Sequence, residues 1–173
     1  DGEGKEYLDF ASGIAVCSLG HNHPAVTKAI QEQAEKLLHV SNLYMNENQP
    51  RLAQKLIENG FDGVCFFCNS GAEANENALK VASFHTGKPK VLAFRKAFHG
   101  RTSGAVAATD NPKIQAPFNE TQNIVFAPLN DLEAVDTELS RGGFAAVIIE
   151  GIQGVAGIYE PTVEFINGLR LLC

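Results

Sequence analysis

The chain lacks several features that would each have set its class. No apolar run approaches the roughly 20 residues of a bilayer-spanning helix. The opening Asp1-Gly2-Glu3-Gly4-Lys5-Glu6 has neither the basic start nor the apolar middle of a signal peptide. A cytoplasmic address without a membrane partner is expected. No stretch is dense in lysine and arginine, and the formal net charge is −6, which argues against a nucleic-acid or anionic-lipid surface but leaves room for a local anion site. Neither GxxxxGK[ST] nor GxGxxG occurs, so nucleotide readings lose ground. There is no internal repeat or low-complexity segment. There is also no initiator methionine, and the chain stops at Cys173 inside an amphipathic pattern, so both ends are expected to be cuts in a longer protein.

What is present is enough for a core: 173 residues, 45% hydrophobic and 20% charged, the size of one ordinary domain. A short strand is expected at residues 7–10. After Pro24, which suits a first helical position, Val26, Ala29, Ile30, Gln33, Ala34, Leu37 and Leu38 recur with a 3.6-residue period, predicting an amphipathic helix over 25–38. A polar linker leads to a second helix near 51–58. Beyond it, strand-like runs at 64–68, 90–94, 123–126 and 145–150 alternate with helical or loop segments at 72–85, 101–108, 131–140 and 162–172. That alternation, with mostly continuous apolar strands, predicts an α/β layered fold with a largely parallel sheet. Ligands in such sheets sit beyond the carboxyl ends of the strands.

Two spacings invite a metal reading and neither supports it. Cys65 and Cys68 have CxxC spacing, but in a strand at 64–68 positions three apart face opposite ways, so core thiols are expected. His21 and His23 have HxH spacing, but no cysteine or carboxylate is expected to complete a site, and no metal is expected.

Chemistry concentrates after two strands. Asn69-Ser70-Gly71-Ala72-Glu73-Ala74-Asn75-Glu76 opens a helix, and Ser70 with Glu73 has the spacing of a capping box. Small residues at Gly71 and Ala72 leave backbone amides open at the positive end of the helix, a place for phosphate; an ordinary strand-to-helix turn would look the same. Further on comes Ala97-Phe98-His99-Gly100-Arg101-Thr102. Phe98 offers a flat face to a heteroaromatic ring, and Arg101 a planar fork for a carboxylate. Standing alone, the segment would read more readily as a core Phe and a surface Arg.

It does not stand alone. Leu8-Asp9-Phe10, Gly13-Ile14-Ala15-Val16, Leu19-Gly20-His21-Asn22-His23-Pro24, Ser41-Asn42-Leu43-Tyr44, Asn69 through Glu76, Phe98-His99-Gly100-Arg101-Thr102 and Glu150-Gly151-Ile152-Gln153-Gly154 resemble, in order along the chain, the class III pyridoxal-phosphate-dependent aminotransferases, most closely the acetylornithine group. The resemblance implies a three-layer α/β/α transferase fold of type I, truncated. Residues 1–50 would belong to a small domain and linker, and 51–173 to the first part of the large cofactor-binding domain. It further implies pyridoxal 5'-phosphate as cofactor, held at its phosphate by the Gly71 and Ala72 amides after the Ser70 cap, with Phe98 stacked on the pyridine ring. Arg101 would grip the substrate α-carboxylate, and Glu150 would lie near the cofactor without touching it, or serve as a structural carboxylate at a strand end. The implied reaction passes an amino group from an ornithine derivative to 2-oxoglutarate in arginine biosynthesis, in a homodimer.

Such an enzyme needs a lysine for the Schiff base and a carboxylate on the pyridinium nitrogen. The resemblance puts both beyond Cys173, and none of the nine lysines present matches. The chain alone is therefore expected to be inactive. Two departures bear on the substrate: Val155 stands where the family's Glu-Pro-Ile-Gln-Gly-Glu stretch has its second glutamate, and Ile14 where ornithine enzymes carry a tyrosine. Both remove polar handles for free ornithine, so N-acetyl- or N-succinylornithine is expected. A non-catalytic module binding phosphate or protein through the same surface is the competing reading.

Overall fold

A computed structural model describes all residues, 1–173. They divide into two compact units, Asp1–Cys65 and Phe66–Cys173.

The first unit holds a single turn, α1 (Ser12–Ala15), and two helices, α2 (Pro24–Lys36) and α3 (Asn48–Asn59). Pro24 is the first residue of α2 as expected, where its missing N–H costs nothing. None of the residues in these helices is buried. Residues 7–10 are not a strand: no neighbouring chain takes their backbone groups, and Leu8 and Phe10 are exposed. Asp9 instead accepts the Ala11 and Ser12 N–H groups, both at 2.9 Å, and its other oxygen meets His21 Nε2 at 2.6 Å. These bonds hold the entry to α1, where Ser12, Gly13, Ile14 and Ala15 all have φ between +47° and +62°. Left-handed backbone is uncommon for a branched residue such as Ile14.

The second unit runs α4 (Gly71–Thr86), β1 (Lys90–Phe94), α5 (Ser103–Ala107), a 3-10 turn at Pro117–Asn119, β2 (Ile124–Ala127), α6 (Leu132–Ser140), β3 (Phe144–Val147) and α7 (Val163–Leu172). The three strands form a parallel sheet in the order β2-β1-β3. Central β1 reads Lys-Val-Leu-Ala-Phe because it is covered on both faces. On one face Leu92 and Phe94 pack with Val135 of α6 and Phe165 and Leu169 of α7. Phe94 meets Phe165 edge to face at 5.5 Å between centroids. On the other, Val91 lines a hollow with Leu79 of α4 and Gly104 of α5. The layering is helix, sheet, helix, as the alternating pattern predicts.

A second expected strand is absent. Residues 64–68 have strand-like composition but lie in irregular chain, with Val64 96% exposed. A β-run becomes a strand only when a neighbour takes its N–H and C=O groups. Both sides of β1 are occupied, and no strand pairs with the outer edges of β2 or β3. The thiols expected in a core are accordingly half-buried at Cys65 and exposed at Cys68. No helix is long and apolar enough to cross a membrane.

Candidate functional site

Ser70 begins α4 in extended conformation and its Oγ accepts the Glu73 N–H at 3.2 Å. The return arm of the expected capping box reaches one residue further back. Glu73 Oε2 accepts the Asn69 N–H at 2.7 Å and the Ser70 hydroxyl at 3.2 Å. Bonds from the Asn69 side chain and backbone hold the Glu73 carboxyl below the usual glutamate range. Ser70 C=O takes the Ala74 N–H. The Gly71 and Ala72 N–H groups are left with no acceptor in the chain, at the positive end of a 16-residue helix. A Cβ at Gly71 would meet nothing within 4 Å, so this end is open to an anion.

The loop after β1 is fixed by five side chains from three other segments of the chain. Gln153 Nε2 donates to Arg95 C=O at 3.0 Å, and Asp110 accepts the Lys96 N–H at 2.7 Å. Glu150 Oε1 accepts the Phe98 N–H at 2.9 Å. Thr109 Oγ1 accepts the His99 N–H at 2.9 Å and donates to Ala105 C=O. Asn75 Nδ2 donates to His99 C=O at 2.8 Å. Phe98 is half-buried, whereas Arg101 is exposed and pairs with no carboxylate.

Gly100 joins this loop to α4. Its φ is +132°, and a Cβ there would lie 2.6 Å from the Ala72 Cβ. Only glycine permits that approach. The structure thus brings Ser70, Gly71, Ala72, Phe98, Arg101 and Glu150 to one neighbourhood at the carboxyl end of the sheet, where ligands of parallel sheets sit. Residues that sequence reasoning gave no role also hold it together: Asn75, Glu76, Thr109 and Gln153. For the first two a signal existed, since they stand three and four residues after Ala72 and so share its helix face.

Buried polar atoms without a partner include His99 Nε2, within this loop, and Gln153 Oε1, on the residue that holds its start. Burial lowers the His99 pKa from its ordinary 6.5 and keeps the ring neutral. The unfolded chain then binds more protons between the folded value and 6.5, so stability falls as pH drops below 6.5 through that window and flattens beneath it. Thermal unfolding of wild type against His99→Phe from pH 7.5 to 5 should show a shallower loss in the variant; parallel curves would contradict this.

The aminotransferase class-III family model matches residues 1–173. The chain belongs to the class-III aminotransferase family. Among relatives in this family, the acetylornithine aminotransferases of Bacillus cereus and Caldanaerobacter subterraneus subsp. tengcongensis are 45% and 46% identical over 100% of this chain, which covers 45% and 46% of their length. The chain thus spans less than half of these relatives. Among solved structures, the taurine:2-oxoglutarate aminotransferase from Bifidobacterium kashiwanohense, in complex with PLP and glutamate, superposes with a TM-score of 0.93 at 29% identity, all of this chain covering 45% of that one. The N-acetylornithine aminotransferase from Stenotrophomonas maltophilia K279a gives 0.82 at 35% identity, again over the whole chain and 44% of its own. The class-III fold of type I, truncated, accounts for the parallel sheet and its helical layers.

Proposed function

We propose that this chain is the amino-terminal portion of a pyridoxal-phosphate-dependent aminotransferase that moves the δ-amino group of N-acetylornithine or N-succinylornithine to 2-oxoglutarate in arginine biosynthesis. The observation that carries the reading is the pair of unclaimed amides at Gly71 and Ala72, held against the Phe98–Arg101 loop by the Gly100 contact. That end of α4 fits a phosphate, and the half-buried ring beside it fits a flat heteroaromatic. When bound, pyridoxal phosphate supplies the electron sink that lets a proton leave the amino-bearing carbon.

The chain's own residues bind and orient. The Gly71 and Ala72 amides hold the phosphate, Phe98 covers one face of the ring, and Glu150 fixes Phe98 by its backbone. Arg101 offers two parallel N–H groups to the α-carboxylate. By the family resemblance, Ile14 and Val155 each stand where enzymes acting on free ornithine carry a polar group, which favours an acylated donor. On this reading residues 1–50 belong to the small domain and linker and 51–173 to the cofactor-binding domain. The protein works as a cytoplasmic homodimer, consistent with the unburied apolar positions Ile30 and Leu38 of the first unit.

The test is donor preference in the holoenzyme with 2-oxoglutarate as acceptor. N-acetyl- or N-succinylornithine should be used at higher kcat/KM than free ornithine; equal or better use of ornithine refutes the substrate. The 173-residue chain alone should show no turnover, because none of its lysines matches the catalytic position. Phosphate binding without any affinity for pyridoxal phosphate would favour the non-catalytic module instead.

A further inference from the structure

One face of α4 reads the whole loop that carries Arg101. Ala72 touches Gly100, Asn75 holds the His99 carbonyl at 2.8 Å, and Glu76 Oε1 accepts the N–H groups of Gly104 at 2.6 Å and Ala105 at 3.0 Å. These three residues stand at i, i+3 and i+4, which is what places them on a common face. Asn75 and Glu76 therefore grip the chain on either side of Arg101, one before the bend and one after it.

The Glu76 contact is a helix cap supplied from another helix. Thr102 precedes α5 in extended conformation but makes no side-chain cap bond. Two of the first-turn amides of α5 go instead to a carboxylate, which also suits the positive end of that helix. Gly104 makes room: a Cβ there would stand 2.7 Å from Glu76 Oε2. Burial pushes the Glu76 carboxyl up, but bonds from Ala105, Thr102 and Gly104 outweigh it and leave the group below the usual glutamate range.

From this geometry we infer that Asn75 and Glu76 are positioning residues that set Arg101 at a fixed place relative to the Gly71 and Ala72 amides. Both ends of the bound molecules are then referred to one rigid helix: the phosphate to its first turn, the substrate carboxylate to a loop clamped on its second. Loss of the clamp lets Arg101 drift while the amides stay put. The inference rests on the proposed roles of Gly71, Ala72 and Arg101.

The experiment compares Glu76→Ala, Glu76→Gln and Asn75→Ala in the holoenzyme, with glutarate as a carboxylate probe. A shift of about 1 Å in a binding group can cost up to on the order of a hundred-fold, so Glu76→Ala should weaken glutarate about ten-fold. Pyridoxal phosphate affinity should change by less than about two-fold, because the helix start does not depend on Glu76. Glu76→Gln, which keeps an acceptor oxygen, should recover most of the loss, and Asn75→Ala should behave like Glu76→Ala. Hydrogen exchange of the peptide containing Gly104 and Ala105 should accelerate in Glu76→Ala, with the peptide containing Gly71 and Ala72 unchanged. Equal loss of cofactor and glutarate, or loss of neither, overturns the proposal. If Arg101→Ala leaves glutarate binding intact, the substrate site itself is wrong, and the exchange data alone still decide whether Glu76 holds the loop.

Discussion

Replacing Arg101 by alanine should lower kcat/KM for the amino donor by about a hundred-fold, with almost no effect on folding. The size follows from the bonds removed. Hydrogen bonds to a charged group contribute roughly 1.5–3 kcal/mol each, and exposure at this site discounts two of them to about 3 kcal/mol in total, close to a hundred-fold. The folding side follows from surroundings: Arg101 is exposed and pairs with no carboxylate of the chain, so its removal should change stability by less than about 0.5 kcal/mol. Arg101→Lys keeps the charge and loses the planar fork, and should fall between the two, about ten-fold down. The measurement is steady-state kinetics of all three proteins beside their thermal midpoints. An unchanged kcat/KM in Arg101→Ala would remove Arg101 from the substrate site.

Most of the second unit is legible before any coordinates, for a simple reason. β1 is apolar along its length because it is central, and its bounds match the apolar run. α4 declares its start through Ser70 and Glu73 and its end through Gly87, which has the left-handed φ of +66° common after helices. Those are local signals, and local signals survive without knowledge of the rest of the chain. The strand expected at 64–68 is a different case. Its residues are suited to a sheet, but pairing is a property of two segments, and the second is not beside it.

The same division runs through the candidate site. Gly71, Ala72, Phe98 and Arg101 can be singled out by residue type and position after a strand. The clamp on the loop cannot, because Glu76 meets Gly104 across 28 positions and Glu150 meets Phe98 across 52. Nor do the identities of Ser12, Ile14 and Ala15 announce a left-handed turn; that conformation is held from outside by Asp9, itself tied to His21 across 12 positions.

Gly100→Ala should be among the most damaging single changes in the second unit. Two costs coincide there. An L side chain at φ +132° is strained by about 1–3 kcal/mol. The new Cβ would also sit 2.6 Å from Ala72 Cβ and 3.1 Å from Ala105 Cβ, an overpacking that costs about 1–3 kcal/mol more. Neither neighbour is the end of a flexible side chain, so relief requires the loop to leave α4, with loss of the Asn75 bond to His99. A total near 4 kcal/mol is a large share of the 5–15 kcal/mol that holds a typical domain together, and Arg101 is displaced in whatever folded protein remains. Gly71→Ala is the contrast, since its Cβ meets nothing within 4 Å, and the helix should gain slightly from the exchange. Part of the steric cost can be relieved by adding Ala72→Gly, which removes the nearest atom but leaves the Ala105 Cβ contact and the strained φ. Denaturant unfolding of the double variant should then recover about 1–2 kcal/mol relative to Gly100→Ala, a non-additive result expected of residues in contact. Strict additivity of the two changes would show that Gly100 and the Ala72 Cβ do not meet as described.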